Sequence, residues 1–127
     1  MGAVKNIGLA YAAADCLAHP TLEDTFAMVV LESMAHGLPV VVSGPKYCGI
    51  SGLLQAGINA IILDDPRDAS ALATAILEVL DCPDFAARLA KEAVAFARHY
   101  QWRELAVVQE SLYFRVAREP APKAQEA

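Results

Sequence analysis

The stretch Asp15-Cys-Leu-Ala-His19-Pro-Thr-Leu-Glu-Asp24-Thr-Phe-Ala-Met-Val-Val-Leu-Glu32-Ser-Met-Ala-His-Gly37-Leu-Pro-Val-Val-Val42 decides the fold. Asp15 to Ala18 is a short apolar run that Pro20 closes, the pattern of a buried strand. From Phe26 the residues Ala27, Met28, Val29, Val30, Leu31 and Met34 cover most of a helical wheel, with Gly37 placed to cap the C-terminus and Pro39 just beyond it. Leu38 to Val42 is too short for a further helix and too β-branched to favour one, so it is expected as an interior strand of the parallel type. Two strands joined by a helix in so few residues imply a right-handed crossover between parallel neighbours.

The same alternation extends outward. Upstream, residues 5 to 13 are Ala-rich and helical in pattern. Downstream, Ser43 to Gly57 holds four glycines and Pro45, marking an irregular connection with at most a short helix over Ile50 to Gln55. Ala60 to Leu63 is a third buried strand, stopped by Asp64-Asp65-Pro66, which supplies candidate caps for the next helix. Ala69, Leu72, Ala73, Ile76, Leu77 and Leu80 fall on one helical face. Pro83 opens another helix carrying Phe85, Leu89, Ala93 and Phe96, and a last one runs from Trp102 to Ala117. The fold class is therefore α/β, a Rossmann-like three-layer domain with a parallel sheet covered on both faces. It is expected to occupy residues 1–117, with 118–127 as a disordered tail rich in Pro, Ala and Glu.

Composition agrees with a buried core. Of 127 residues 56% are hydrophobic and 20% charged, which excludes a disordered or fibrous chain. A net charge of −5, with ten scattered Lys and Arg, argues against a nucleic-acid partner. Cys16, Cys48 and Cys82 are odd in number and widely spaced, as expected of reduced thiols in the cytoplasm. No charged n-region precedes an apolar h-region at the start, so no secretory leader is expected, and with Asn6 in the sixth position no myristoylation is expected either. The apolar runs are all broken before they reach membrane-spanning length.

Function concentrates on two acids. Ligands of parallel sheets bind at the carboxyl ends of the strands, and residues 19–26 and 43–52 lie there. Asp24 stands where the apolar run begins, and Glu32 inside it, on a helix expected to be buried, where a charge needs a partner. The first amides of that helix have no acceptor within it, so they and the helix dipole suit an anion such as a diphosphate. Two carboxylates, each able to accept from a vicinal diol, would then hold the hydroxyl-bearing ends of a nucleotide sugar. Plainer readings stand beside this one: Asp24 or Thr25 as an N-cap, and Glu32 as the partner of a core Arg or Lys.

Tyr11-Ala-Ala-Ala-Asp15-Cys-Leu-Ala-His-Pro20, followed by Asp24-x7-Glu32-Ser-Met-Ala-His-Gly-Leu-Pro-Val40, resembles the carboxy-terminal, donor-binding half of GT-B retaining glycosyltransferases of family 4. The resemblance continues through Cys48-Gly49, Gly57, Asn59 to Leu63 and Tyr100-Gln-Trp102. His19-Pro20 and Cys48-Gly49 are most similar to the bacterial lipopolysaccharide core heptose glucosyltransferases. It implies that Glu32 holds the ribose hydroxyls, that Asp24 is the catalytic-centre acid near the donor sugar, and that the amides of Thr25, Phe26, Ala27 and Met28 cradle the diphosphate. It places Cys48, Gly49 and Ser51 at the border of the sugar. It also implies retaining hexosyl transfer from a nucleotide-sugar donor, with no cofactor and no metal, in the cytoplasm or at the inner face of the inner membrane. The acceptor domain is missing, so the isolated half should not catalyse, and any peripheral membrane association would run through that missing domain. Two departures are visible: Asp24 is one methylene shorter than the family's Glu, and Thr25-Phe26-Ala27 replaces Gly-Phe-Gly.

Other motifs are weaker. Gly49-Ile-Ser51-Gly52 is one residue short of a serine-hydrolase elbow. His19, His36, His99 and the cysteines lack metal-ligand spacing and are expected to be packing or surface residues. Trp102, Tyr113 and Phe114 are expected to pack between helices. Two alternatives to a transferase half remain, half of a nucleotide-sugar epimerase and a non-catalytic binding or scaffolding module.

Overall fold

The computed structural model describes residues 6–118. Elements run in the order α1 (Ile7–Ala12), β1 (Leu17–His19), α2 (Met28–Ala35), β2 (Val40–Ser43), a short 3-10 helix (Gly49–Leu53), β3 (Ile61–Leu63), α3 (Ala69–Asp81), α4 (Pro83–Arg98) and α5 (Trp102–Arg118). The three strands form one parallel sheet in the order β1-β2-β3. Leu17, Ala18 and His19 pair with Val40, Val41 and Val42, and Val41, Val42 and Ser43 pair with Ile61, Ile62 and Leu63.

Strand alternation explains the layers. Val40 and Val42 point to one face, into a cluster with Val30, Leu31 and Met34 of α2 and Ala93 and Ala97 of α4. Val41 points to the other, against Leu63 and Ala75 with Leu72 of α3. The central strand is buried along its whole length, as its unbroken β-branched run requires. Met34, Ile50 and Leu89 are the largest fully buried side chains, each contributing about 1.5–3 kcal/mol of transfer free energy.

The boundaries differ from expectation for identifiable reasons. Gly37 (φ +80°) closes α2 in a Schellman arrangement: its N–H donates to the Met34 carbonyl (3.0 Å), and the Leu38 N–H to Ser33 (3.1 Å). Leu38 is thus committed to the helix end and Pro39 has no N–H, so β2 begins at Val40 rather than Leu38. Leu17 N–H takes the Pro39 carbonyl (3.0 Å), and β1 accordingly begins two residues later than the expected Asp15. Asp68, not Asp64 or Asp65, caps α3, accepting from the Ala71 amide at 2.9 Å.

Helix α5 starts at Trp102 as expected and runs one residue past the expected Ala117, but it has no buried residue. Trp102, Tyr113 and Phe114, expected to pack between helices, are 83%, 65% and 59% exposed. Periodicity identified the helix without revealing what lies against it. The expected tail 118–127 lies outside the described residues, apart from Arg118 at the end of α5.

Candidate donor site at the carboxyl edge of the sheet

The two segments after β1 and β2 are laced into one wall. Asp24 N–H donates to the Tyr47 carbonyl (2.9 Å) and Gly49 N–H to the Asp24 carbonyl (3.0 Å), a parallel bridge between Asp24 and Cys48. Ser43, at the end of β2, donates its hydroxyl to the Thr21 carbonyl (2.7 Å), and Ser51 donates to the Ser43 carbonyl. Phe26 lies against Tyr100 (ring centroids 6.1 Å apart), which itself packs on Phe96 (5.0 Å). The end of α4 thereby braces the loop before α2.

Asp24 organises that loop. Its Oδ1 accepts from the amides of Phe26 (3.2 Å) and Ala27 (2.6 Å), and its Oδ2 accepts from His19 Nε2 (3.2 Å). The N-cap position of α2 is Ala27, with no side-chain cap, so neither Asp24 nor Thr25 caps the helix as the plainer reading had it. Asp24 instead binds the two amides just before it, and α2 starts at Met28, not Phe26. Partial desolvation works against the Asp24 charge, but the Ala27 amide, the His19 ring and the Phe26 amide outweigh it and hold the carboxyl below its ordinary 3.8. Between the depressed native value and 3.8 the unfolded chain binds the proton more readily, so stability rises with pH there. The contribution is complete above the ordinary value and is lost as pH falls through the native one. Asp24→Asn should therefore flatten the acid limb of a plot of denaturation midpoint against pH below about 5; an unchanged limb would show that these bonds do not form in solution.

Ala27 adopts a left-handed backbone (φ +60°, ψ +67°), and among the described residues it is the only non-glycine with positive φ. This is the position where the resemblance supplies glycine. The conformation costs alanine about 1–2 kcal/mol. Glycine would relieve that but lose a buried methyl, about 0.8 kcal/mol, and more chain entropy, about 0.5–1 kcal/mol. The opposing effects nearly cancel, so Ala27→Gly should leave stability within about 1 kcal/mol. Ala27→Val, β-branched in the same region, should cost more than about 2 kcal/mol in urea denaturation; the reverse order would refute the strained geometry.

The helix start carries free donors. Val30 N–H reaches the Ala27 carbonyl (2.9 Å), and the Ala27 amide is taken by Asp24, but among the described residues the Met28 and Val29 N–H groups have no protein acceptor. Of the four amides expected to cradle a diphosphate, those of Phe26 and Ala27 are occupied by Asp24, which leaves those of Thr25 and Met28. Glu32 corrects a premise of the sequence reading: it is exposed, as are Met28 and Ala35. Its partner is neither Arg nor Lys but the buried Tyr11, whose hydroxyl donates to Oε2 at 3.1 Å. Burial, followed by this bond and the Glu32 charge, raises the Tyr11 pKa, keeping it a donor. Met28 and Glu32 share one solvent-facing stripe and are separated by about 6 Å of helix rise, so an anion on the free amides and a diol on Glu32 can belong to one ligand.

Cys48 and Ser51 present no side chain to such a ligand. Cys48 is 1% exposed in the core, where burial pushes its thiol pKa up, and Ser51 is buried with its hydroxyl spent on Ser43. Exposed Gly49 is the member of that trio at the surface. Sequence reasoning missed Tyr11, which no spacing connects to Glu32, and took His19 for a packing or surface residue. The signal for His19 was its place at a strand end, five residues before the acid. Among the described residues no three His, Cys, Asp or Glu side chains come together to hold a metal ion, and no helix is long and apolar enough to cross a membrane.

Residues 1–82 match the family described as glycosyl transferases group 1. The D-inositol 3-phosphate glycosyltransferase of Corynebacterium efficiens is 30% identical over 103 residues, 81% of this chain and 24% of that protein. The glycogen synthase of Mycobacterium tuberculosis is 34% identical over 116 residues, 87% of this chain and 27% of that protein. Among solved structures, sucrose-phosphate synthase from Thermosynechococcus elongatus superposes with a TM-score of 0.77 at 28% identity, over 87% of this chain and 27% of that one. Anabaena HepE in complex with UDP-glucose superposes with a TM-score of 0.75 at 26% identity, over 92% and 31%. The chain spans about a quarter of the length of these curated relatives.

Proposed function

We propose that this chain, which belongs to the glycosyl transferases group 1, is the half of a glycosyltransferase that binds the nucleotide-sugar donor. Its fold is the Rossmann-like α/β domain of the GT-B type. The observation that carries the proposal is the pairing of two free amides, Met28 and Val29, with an exposed carboxylate, Glu32, on one stripe of α2 at the carboxyl edge of the sheet. The amides take the donor diphosphate. Glu32, oriented by Tyr11, accepts from the ribose hydroxyls, and Asp24 shapes the loop at the sugar end. A relative solved with UDP-glucose supports this chemistry.

In this reading residues 1–117 form the donor half, and an acceptor domain elsewhere in a longer protein completes the cleft. The longer protein transfers a hexosyl group with retention, by front-face departure assisted by the donor phosphate, without a metal or a protein nucleophile. It works in the cytoplasm or at the inner face of the inner membrane. The finer assignment, to family 4 and to lipopolysaccharide or other surface-glycan synthesis, is supported by the motif resemblance alone, above all His19-Pro20 and Cys48-Gly49. Product analysis of the longer protein with UDP-glucose and a mixed acceptor pool tests the transferase class: a glycoside with the donor's anomeric configuration is expected, whereas an epimerised free donor would overturn it.

A further inference from the structure

We propose that His19 is a positioning residue for the donor site, holding Asp24 so that the loop before α2 keeps the shape that leaves Met28 and Val29 amides free. The inference rests on the donor-binding reading but adds a residue and a role to it. His19 is the last residue of β1, its backbone fixed by the register with Val42 and by Thr21 N–H donating to its carbonyl at 2.9 Å. From that rigid end the imidazole Nε2 reaches Asp24 Oδ2 at 3.2 Å.

The other oxygen of Asp24 shapes the backbone. Oδ1 must stay on the amides of Phe26 and Ala27 for the chain to turn through the left-handed Ala27 and enter the helix at Met28. A carboxylate clamped at one oxygen only can rotate about its side-chain torsions. Clamped at both, it is fixed in one rotamer. Both side chains are partly exposed, 23% for His19 and 31% for Asp24, so neither is needed as core filling. That separates a positioning role from a packing one.

The test uses the 127-residue chain with UDP-glucose as probe. Amide hydrogen exchange comes first, because it needs no ligand: His19→Ala should speed exchange of the Phe26 and Ala27 amides about tenfold while leaving α3 amides unchanged. His19→Gln, whose side-chain amide can also reach Asp24, should restore most of the protection. Should His19→Ala not fold, His19→Asn, polar but too short to reach, takes its place. UDP-glucose affinity should fall about tenfold in His19→Ala, and less than about threefold when Ala27→Gly is also present, since glycine enters the left-handed region without a clamp. Unchanged exchange at Phe26 and Ala27, or an equal affinity loss in both backgrounds, would overturn the role; the latter would make His19 a direct ligand. If the unsubstituted chain does not bind UDP-glucose, the donor reading fails, and the exchange measurements still decide the role of His19.

Discussion

Gly49→Ala is expected to be the most damaging glycine-to-alanine substitution among the described residues, lowering stability by about 3 kcal/mol or more and the melting temperature by roughly 10 °C or more. A Cβ at this position would sit 1.9 Å from the Thr25 carbonyl oxygen and 2.9 Å from its carbon, both backbone atoms that cannot swing aside. The only relief is to separate the two loops. That breaks the hydrogen bonds from Asp24 N–H to Tyr47 and from Gly49 N–H to Asp24, which hold the wall together. Gly52 makes the control. A Cβ there meets only the Pro45 side chain at 3.9 Å, so Gly52→Ala should change stability by less than about 1 kcal/mol. Equal effects at the two glycines in thermal denaturation would contradict the tight loop-to-loop contact.

Glu32→Ala should have the second largest effect, and mainly on activity. In the longer enzyme kcat/KM for the donor should fall about 100-fold, equivalent to about 2.7 kcal/mol, the scale of the charge-assisted hydrogen bonds a ribose diol makes to a carboxylate. Glu32 is exposed, so the substitution should leave the fold in place. Its stability cost comes through Tyr11, whose buried hydroxyl loses its acceptor. Glu32→Gln keeps that acceptor and removes only the charge. It should retain full stability and show an intermediate activity loss. Retained turnover in Glu32→Ala would remove Glu32 from donor binding.

The layers and the order of elements were legible in the sequence because they rest on signals that act locally. The Val40-Val41-Val42 run could only be an interior strand, Gly37 could only be a left-handed cap, and the period of Ala69 to Leu80 could only be helical. What the sequence concealed depends on distant partners or on competition for a single group. Nothing near Glu32 announces Tyr11, so its burial was inferred from apolar neighbours when in fact α2 turns Met28, Glu32 and Ala35 to solvent. The start of α2 was misplaced because Asp24 draws the Phe26 and Ala27 amides out of the helix, a competition that propensity does not weigh. Cys48 and Ser51 sit in a glycine-rich loop that resembles a ligand border, yet a short 3-10 helix turns both side chains inward. The candidate site lies at the sheet edge where the sequence pointed, while its hydrogen-bond partners became visible only in three dimensions.

The central claim is that one stripe of α2 binds a nucleotide diphosphate sugar through free amides at its start and a carboxylate one turn further on. Titration of the 15N-labelled chain with UDP-glucose, tracked by amide chemical shifts, tests it most directly. Saturable shifts at Met28, Val29 and Glu32 at millimolar ligand or below, reproduced by UDP and absent with glucose alone, are the predicted result. A spectrum unchanged at those three amides would contradict the account.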